Sequence, residues 1–309
     1  MASTANLGER HVRTARSAYL LLLLSLIWGT SFLLIKVSVE TVPPFTAGAA
    51  RASLAAIVLY GWLRLRGERM PPLGRAWLPF LALGVASNAL PFAIIGWSEQ
   101  HVDSGLAAIL IALMPLFTVF LLQLTGREER MSVSRLAGIA VGLAGVVVLV
   151  GPDALGGFGT QVWAQIALVV AAISYAVGIF IATGLGRYSA AVKSVGTLSV
   201  GALYLIPMSL IFDSPWNLAP SALSVGAIVL LAVVATAVAA IAYFHLIATA
   251  GGAYTALSGY LTPVVAVAAG AVLLGEDVSA RALLALAIIL FGVALAGRRG
   301  RPQALAPPA

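Results

Sequence analysis

Few side chains in this sequence could do chemistry, and their types exclude most of what is usual for an enzyme. There is no cysteine, which removes thiolate catalysis, thiolate metal sites and disulfides. His11, His101 and His245 are the only imidazoles, and they are too dispersed to form a metal cluster. No HExxH or GxSxG pattern supplies a metal-bound water or a nucleophile with its base, so neither catalysis nor a cofactor is expected. Every Asp and Glu, from Glu9 to Asp277, lies outside or at the edge of an apolar run. Proton pumps, sodium pumps and exporters of cations commonly hold a carboxylate inside the membrane, where a charge is costly and therefore rarely idle. A purely cationic cargo is accordingly not expected.

Two cations do fall inside apolar runs, Lys36 and Arg51. Either they snorkel towards the outer interface, or one of them draws a carboxylate into a vestibule on the outer side. The other candidates form an apolar and aromatic lining with a few hydroxyls and one amide: Trp28, Ser31, Asn88, Phe92, Trp97, Ser174, Tyr175, Tyr243, His245 and Tyr260. Small-molecule sites have this makeup. In it, Trp28 and Tyr175 would stack on the apolar part of a ligand, while Ser31 and Asn88 would bond its polar end. A tryptophan in a membrane helix normally sits in the interfacial belt. Trp28 lies mid-run, so its indole N–H needs either a central cavity or a neighbour in the bundle. His245 is either a group titrating near neutral pH or a satisfied hydrogen-bonding histidine. The lining suits a neutral or zwitterionic metabolite.

Membrane-spanning helices must position these residues. Of the chain's 309 residues, 61% are hydrophobic and 9% charged, with a mean hydropathy of +1.03; soluble domains are roughly 25% charged. Ten apolar runs follow a polar tail, 1–16, and begin near Ser17, Phe45, Trp77, Gly105, Leu136, Val162, Ala190, Leu223, Tyr254 and Ala282. The first is too long for the core of a signal peptide and is followed by no cleavage site. The net charge of +7 comes from arginines in short connections, which are topology signals and not a nucleic-acid footprint. Threaded from a cytoplasmic amino terminus, fifteen lysines and arginines fall on the cytoplasmic side, and Arg281 alone falls opposite. That count fixes both the number of spans and the orientation, with both termini cytoplasmic.

The chain is also duplicated. Ser104–Glu128 and Gly252–Glu276 align at constant offset, matching Pro115 with Pro263 and Leu113 with Leu261. The same register places Asn88 on Thr236 and Trp97 on His245, while Trp28 falls on Tyr175. With five helices per half, the halves enter the membrane in opposite senses, as in transporters built from inverted repeats. The expected architecture is thus all-α: ten transmembrane helices as two inverted five-helix repeats, 17–151 and 160–297, with a cytoplasmic tail 298–309. Paired prolines in matching spans mark a substrate path that must bend, or else plain packing kinks. Gly138, Gly142 and Gly145 form a small-residue face for close helix approach, expected within a monomer, with a dimer as the alternative.

The run WGTSFLLIK of the first span, Arg51 early in the second, and proline spans leading into Gly-Arg-Glu (126–128) and Gly-Glu-Asp (275–277) resemble the drug/metabolite transporter superfamily. The likeness covers 17–296 and is strongest to EamA-type ten-helix exporters, bacterial exporters of aromatic amino acids in particular. It implies export of small metabolites across the bacterial inner membrane by alternating access. The pocket it implies lies among spans one, three, four, six, eight and nine. A facilitative carrier or channel-like permease for other metabolites or drugs is the alternative. A channel, however, would show rings of lining charges or carbonyls, which the sequence lacks. The expected partners are a small-molecule substrate and the lipid bilayer, with no nucleic acid.

Overall fold

The computed structural model describes residues 2–124, 133–155, 159–183, 185, 188–250 and 258–296. Among these residues the chain is all helix. Apolar segments of this length take helical form in lipid because the helix satisfies every backbone group internally. Six helices are long and apolar enough to cross a membrane: Ala15–Ser38, Pro44–Leu65, Arg75–Ser98, Thr160–Ala182, Ala190–Asp213 and Ala222–Tyr243. Shorter apolar helices cover Ser104–Thr118, Leu136–Leu149, Leu261–Leu274 and Ala280–Leu295. Leu203, Ile211 and Phe291 are more than half exposed, the expected state of a lipid-facing side chain.

In chain order, α1 is Ala2–Ser38, continuous with the segment expected as a separate tail, and α2 is Pro44–Leu65. Helix α3 is Arg75–Ser98, α4 Ser104–Ile111, α5 Met114–Leu124 and α6 Val133–Leu155. Next come α7, Thr160–Thr183, and α8, Ala190–Asp213. Helix α9 runs from Ala222 to Ala250, α10 is Ser258–Ala269, and α11 is Ala280–Ala296. Ser189 and Ser221 start α8 and α9 by accepting the Val192 and Ser224 amides.

The fourth apolar run does not form one helix. It breaks at Ala112 and Leu113, and Pro115 becomes the second residue of α5, where its missing N–H costs little. Pro263, its repeat partner, stays inside continuous α10. The paired prolines therefore bend the backbone differently. The motif around Glu128 and the residues 251–257 lie outside the described residues.

Four stretches widen to π geometry: Val85–Ala89 in α3, Ser209–Asp213 in α8, Leu231–Val238 in α9 and Gly270–Leu274 after α10. Asn88 and Thr236, aligned by the duplication, each sit in one of them. π turns leave a backbone carbonyl without its ordinary partner and often mark function.

Small residues set the helix contacts. A Cβ at Gly29 would lie 2.5 Å from the Val265 Cβ, so α1 and α10 touch at the backbone; Gly84 meets Val200 in the same way between α3 and α8. Gly145 packs on Ile289 and Gly292 on the backbone of Gly138 and Gly142, which uses the small-residue face of α6 for α11 within the chain. One apolar core lies among α4, α5, α7 and α11, including Ile109, Leu113, Leu168 and Ile289. A second lies among α2, α3 and α8, including Leu59, Leu63, Phe80 and Leu205. The third joins α1 to α9 through Leu24, Leu246, Trp28 and Tyr243.

Candidate functional site

Arg51 is the clearest constellation. It leaves α2 into the bundle, its Nε donates to Thr236 Oγ1 on α9 at 3.0 Å, and its guanidinium lies 4.1 Å from the centre of the Phe92 ring on α3. Thr236 is itself fixed, because its hydroxyl donates at 2.8 Å to the Leu231 carbonyl in the π segment. Both contacts of the arginine are neutral. A guanidinium so placed keeps its two terminal nitrogens for a carboxylate, in the fork geometry that lysine lacks. The outward snorkelling considered for Arg51 does not occur. Lys36 Nζ donates to the Val102 carbonyl at 2.7 Å, in the connection at the end of the bundle where α1 stops.

Trp28 packs on Tyr243, with ring centres 5.4 Å apart, and not on Tyr175, which belongs to the core of α4, α5 and α7. Repeat symmetry relates positions but does not make them touch. Ser174 Oγ donates to the Ala86 carbonyl at 2.8 Å, taking an acceptor in the π segment of α3, and Ser31 Oγ donates to the Trp28 carbonyl at 2.6 Å. Both hydroxyls are thus held by backbone. Asn88 is buried against Gly201 of α8.

Two expected residues lie elsewhere. Trp97 faces His101 at 4.9 Å between ring centres and lines an apolar 460 Å³ cleft between α3 and α7, together with Trp163 and Val170. His245 is exposed and borders a 240 Å³ cleft with Arg66, Glu68 and Trp62, at the opposite end of the bundle. The side chain of Tyr260 lies outside the described residues. The structure therefore gathers Arg51, Phe92 and Thr236, and separately Trp28 with Tyr243, and leaves Trp97 and His245 apart.

The end of the bundle carrying Lys36 and the 99–103 connection is tied by carboxylates across the two halves of the chain. Glu276 accepts from Ser104 N at 2.8 Å, Ser104 Oγ at 2.9 Å and Gly105 N at 3.3 Å, capping α4. Asp213 accepts from Thr46 N at 2.7 Å and Thr46 Oγ1 at 2.9 Å near the start of α2. In the 99–103 connection, burial pushes the Glu99 carboxyl well above the usual carboxylate range, against the pull of Lys36. Burial also raises Asp103, with Glu276 adding to the effect. Glu99 carried no signal in the sequence, because a carboxylate beside a span is ordinarily solvated, and Glu276 stood out only as the end of a repeat. Thr236 carried one signal, its register with Asn88.

Residues 15–151 and 162–298 each match the EamA-like transporter family. The chain belongs to that family. It is 33% identical over 280 residues to the uncharacterized inner membrane transporter YedA of Escherichia coli, covering 88% of this chain and 87% of the relative. It is 27% identical over 303 residues to a probable terminal-alkyne amino-acid exporter of Streptantibioticus cattleyicolor, covering 96% and 99%. A solved crystal structure shares the fold with a TM-score of 0.64 at 23% identity, over 91% of this chain and 96% of that one. The EamA-family chain is therefore a membrane transporter, with a small-molecule substrate and lipid contact to be expected.

Proposed function

We propose that this EamA-family transporter exports small neutral or zwitterionic metabolites, amino acids including aromatic ones among them, by alternating access. The carrying observation is Arg51, held between a hydroxyl and a ring face inside the bundle. A partly buried cation without an anion is costly, and the carboxylate of an amino acid would offset that cost. Phe92 stacks against the arginine, and the Trp28–Tyr243 pair supplies a second aromatic surface for an apolar side chain. The amino-acid exporter among the relatives supports the same substrate class.

In this reading the six long helices and the shorter ones form ten spans in two inverted halves, 17–151 and 160–297, at the inner membrane with both termini cytoplasmic. The packing pattern supports it. Helix α1 packs on α10 as α7 packs on α5, α3 packs on α7 as α9 packs on α1, and the pairs α2–α8 and α6–α11 each join a span to its own repeat partner. Pro115 and Pro263 serve as bending points, and the protein acts as a monomer.

Counterflow in proteoliposomes tests the function. Phenylalanine loaded inside should drive saturable uptake of labelled phenylalanine. Uptake that rises linearly with concentration and shows no counterflow would instead mark a channel-like permease, and no transport of any amino acid would refute the substrate class.

A further inference from the structure

The buried side-chain acceptors that lack a hydrogen-bond partner among the described residues are both carboxyl oxygens of Glu99 and the Oε1 of Gln165. Glu99 is 0% exposed. The two residues follow a single tie between α3 and α7: Ser98 Oγ donates to the Ala164 carbonyl at 3.1 Å, and Glu99 and Gln165 are the next residue on either strand of that contact. An ionised carboxylate with no donor is the least tolerable group to bury, whereas a neutral carboxyl is both tolerable and a donor.

The charged groups facing Glu99 do not relieve it. From α1, Lys36 favours its ionised form through its charge and, more weakly, through its backbone N–H, which does not reach hydrogen-bonding geometry, and its ammonium is bonded to the Val102 carbonyl. From α2, Arg51 acts at longer range and is held by Thr236 and Phe92. From the connection after α10, Glu276 repels it. Helix α7 offers Gln165 at this level, whose Oε1 is likewise unpartnered and whose Nε2, though a donor, is not bonded to Glu99. On its own connection, Asp103 is exposed to solvent and feels Glu276 and Asp277, and His101 keeps Nδ1 at 2.9 Å from the Trp97 carbonyl. Burial outweighs the two cations, so the neutral form is the one this closed arrangement holds.

The same connection is the cover over Glu99. It is tied on one side by Lys36 to Val102 and by Gln100 Nε2 to the Val39 carbonyl at 3.4 Å. On the other side it is tied by Glu276 to Ser104 and Gly105. Releasing those bonds would open this end, admit water to Glu99 and free Lys36 to pair with it. We propose that Glu99 is a proton-binding site that controls access at this end: the carboxyl must take a proton for the end to close over it, and it ionises when the end opens. This rests on the alternating-access reading, but it concerns the conformational step and not the cargo.

The absence of native cysteines allows clean labelling. Spin labels on Glu40→Cys and Val278→Cys, both exposed and on connections at this end, report opening as an increased separation in lipid nanodiscs without substrate. The closed population should dominate at the ordinary glutamate value and give way to a longer distance as pH rises above it, since burial places the window on that side. With one linked proton, the closed-to-open ratio falls about tenfold per pH unit within that window. Glu99→Gln, neutral and of the same shape, should stay closed throughout, whereas Asp103→Asn should keep the pH response. A distance distribution indifferent to pH overturns the proposal, as does a response that survives Glu99→Gln or disappears in Asp103→Asn. Because no substrate is present, failure of the amino-acid reading in counterflow leaves this result standing, and the converse also holds.

Discussion

Replacing Arg51 with glutamine is the most direct probe of substrate recognition. The substitution removes the charge and the two-pronged donor while keeping a polar group that can still reach Thr236, which now holds Arg51 Nε at 3.0 Å. A hydrogen bond to a charged partner contributes about 1.5–3 kcal/mol, and each 1.4 kcal/mol is about tenfold in an equilibrium constant. Phenylalanine affinity should therefore fall about 10- to 100-fold. The contact over Phe92, 4.1 Å from the ring centre, contributes to folding as well, about 0.5–2 kcal/mol for a cation over an aromatic face. Stability must accordingly be measured beside binding. The assay is calorimetric titration of purified protein in detergent, with phenylalanine and with phenylalaninamide, which lacks the carboxylate. The native protein should prefer the acid. Arg51→Gln should bind the two about equally, and Arg51→Lys should fall between, because an ammonium is a point charge without the planar fork. If Arg51→Gln folds and still prefers phenylalanine over its amide by the native ratio, Arg51 does not read the carboxylate and the site must be sought elsewhere.

Trp28→Ala removes the ring that packs on Tyr243 and should weaken phenylalanine about 2- to 13-fold relative to alanine, from about 0.5–1.5 kcal/mol of aromatic contact; equal losses for both substrates would assign the pair to packing. Thermal stability should depend on pH through Glu99. Its proton affinity is raised on folding, so the native state holds more protons than the unfolded chain between the ordinary glutamate value and the raised one, and stability falls as pH rises through that window. Glu99→Gln should flatten the fall and be the more stable protein at alkaline pH, with a residual slope of the same sign from Asp103; a midpoint that rises with pH would contradict the burial argument. Gly29→Ala should destabilise the contact of α1 with α10 by about 1–3 kcal/mol, since the added Cβ meets Val265 at 2.5 Å and the Thr262 carbonyl at 2.9 Å; an unchanged thermal midpoint would show that this contact opens freely. Single cysteines at Glu40 and Arg69 should react with impermeant reagents from opposite faces of inverted and right-side-out vesicles, and reaction of both from one face would refute the ten-span threading.

Composition and periodicity were enough to define the apolar runs, because a span must bury every backbone group and twenty apolar residues leave few alternatives to a helix. The duplication was legible from Pro115 and Pro263 and from Asn88 and Thr236, and both halves match one family. Candidate residues could be chosen by type: Trp28 and Arg51 as unusual within a span, Phe92 and Tyr243 as parts of an aromatic lining. Tertiary packing decided what they touch. Arg51 has a long side chain that can reach lipid headgroups or the bundle centre, and only the position of Thr236 and Phe92 selects between them. Trp28 meets Tyr243 and not its repeat partner because close approach at Gly29 fixes how α1 sits. One repeated proline breaks its span while the other stays within a helix, although the local sequences align. The burial of Glu99 was the least legible feature. Beside a span, a carboxylate's ordinary state is hydrated, and its protection comes from two distant parts of the chain tying down its connection, the end of α1 at Lys36 and Val39 and the connection after α10 at Glu276.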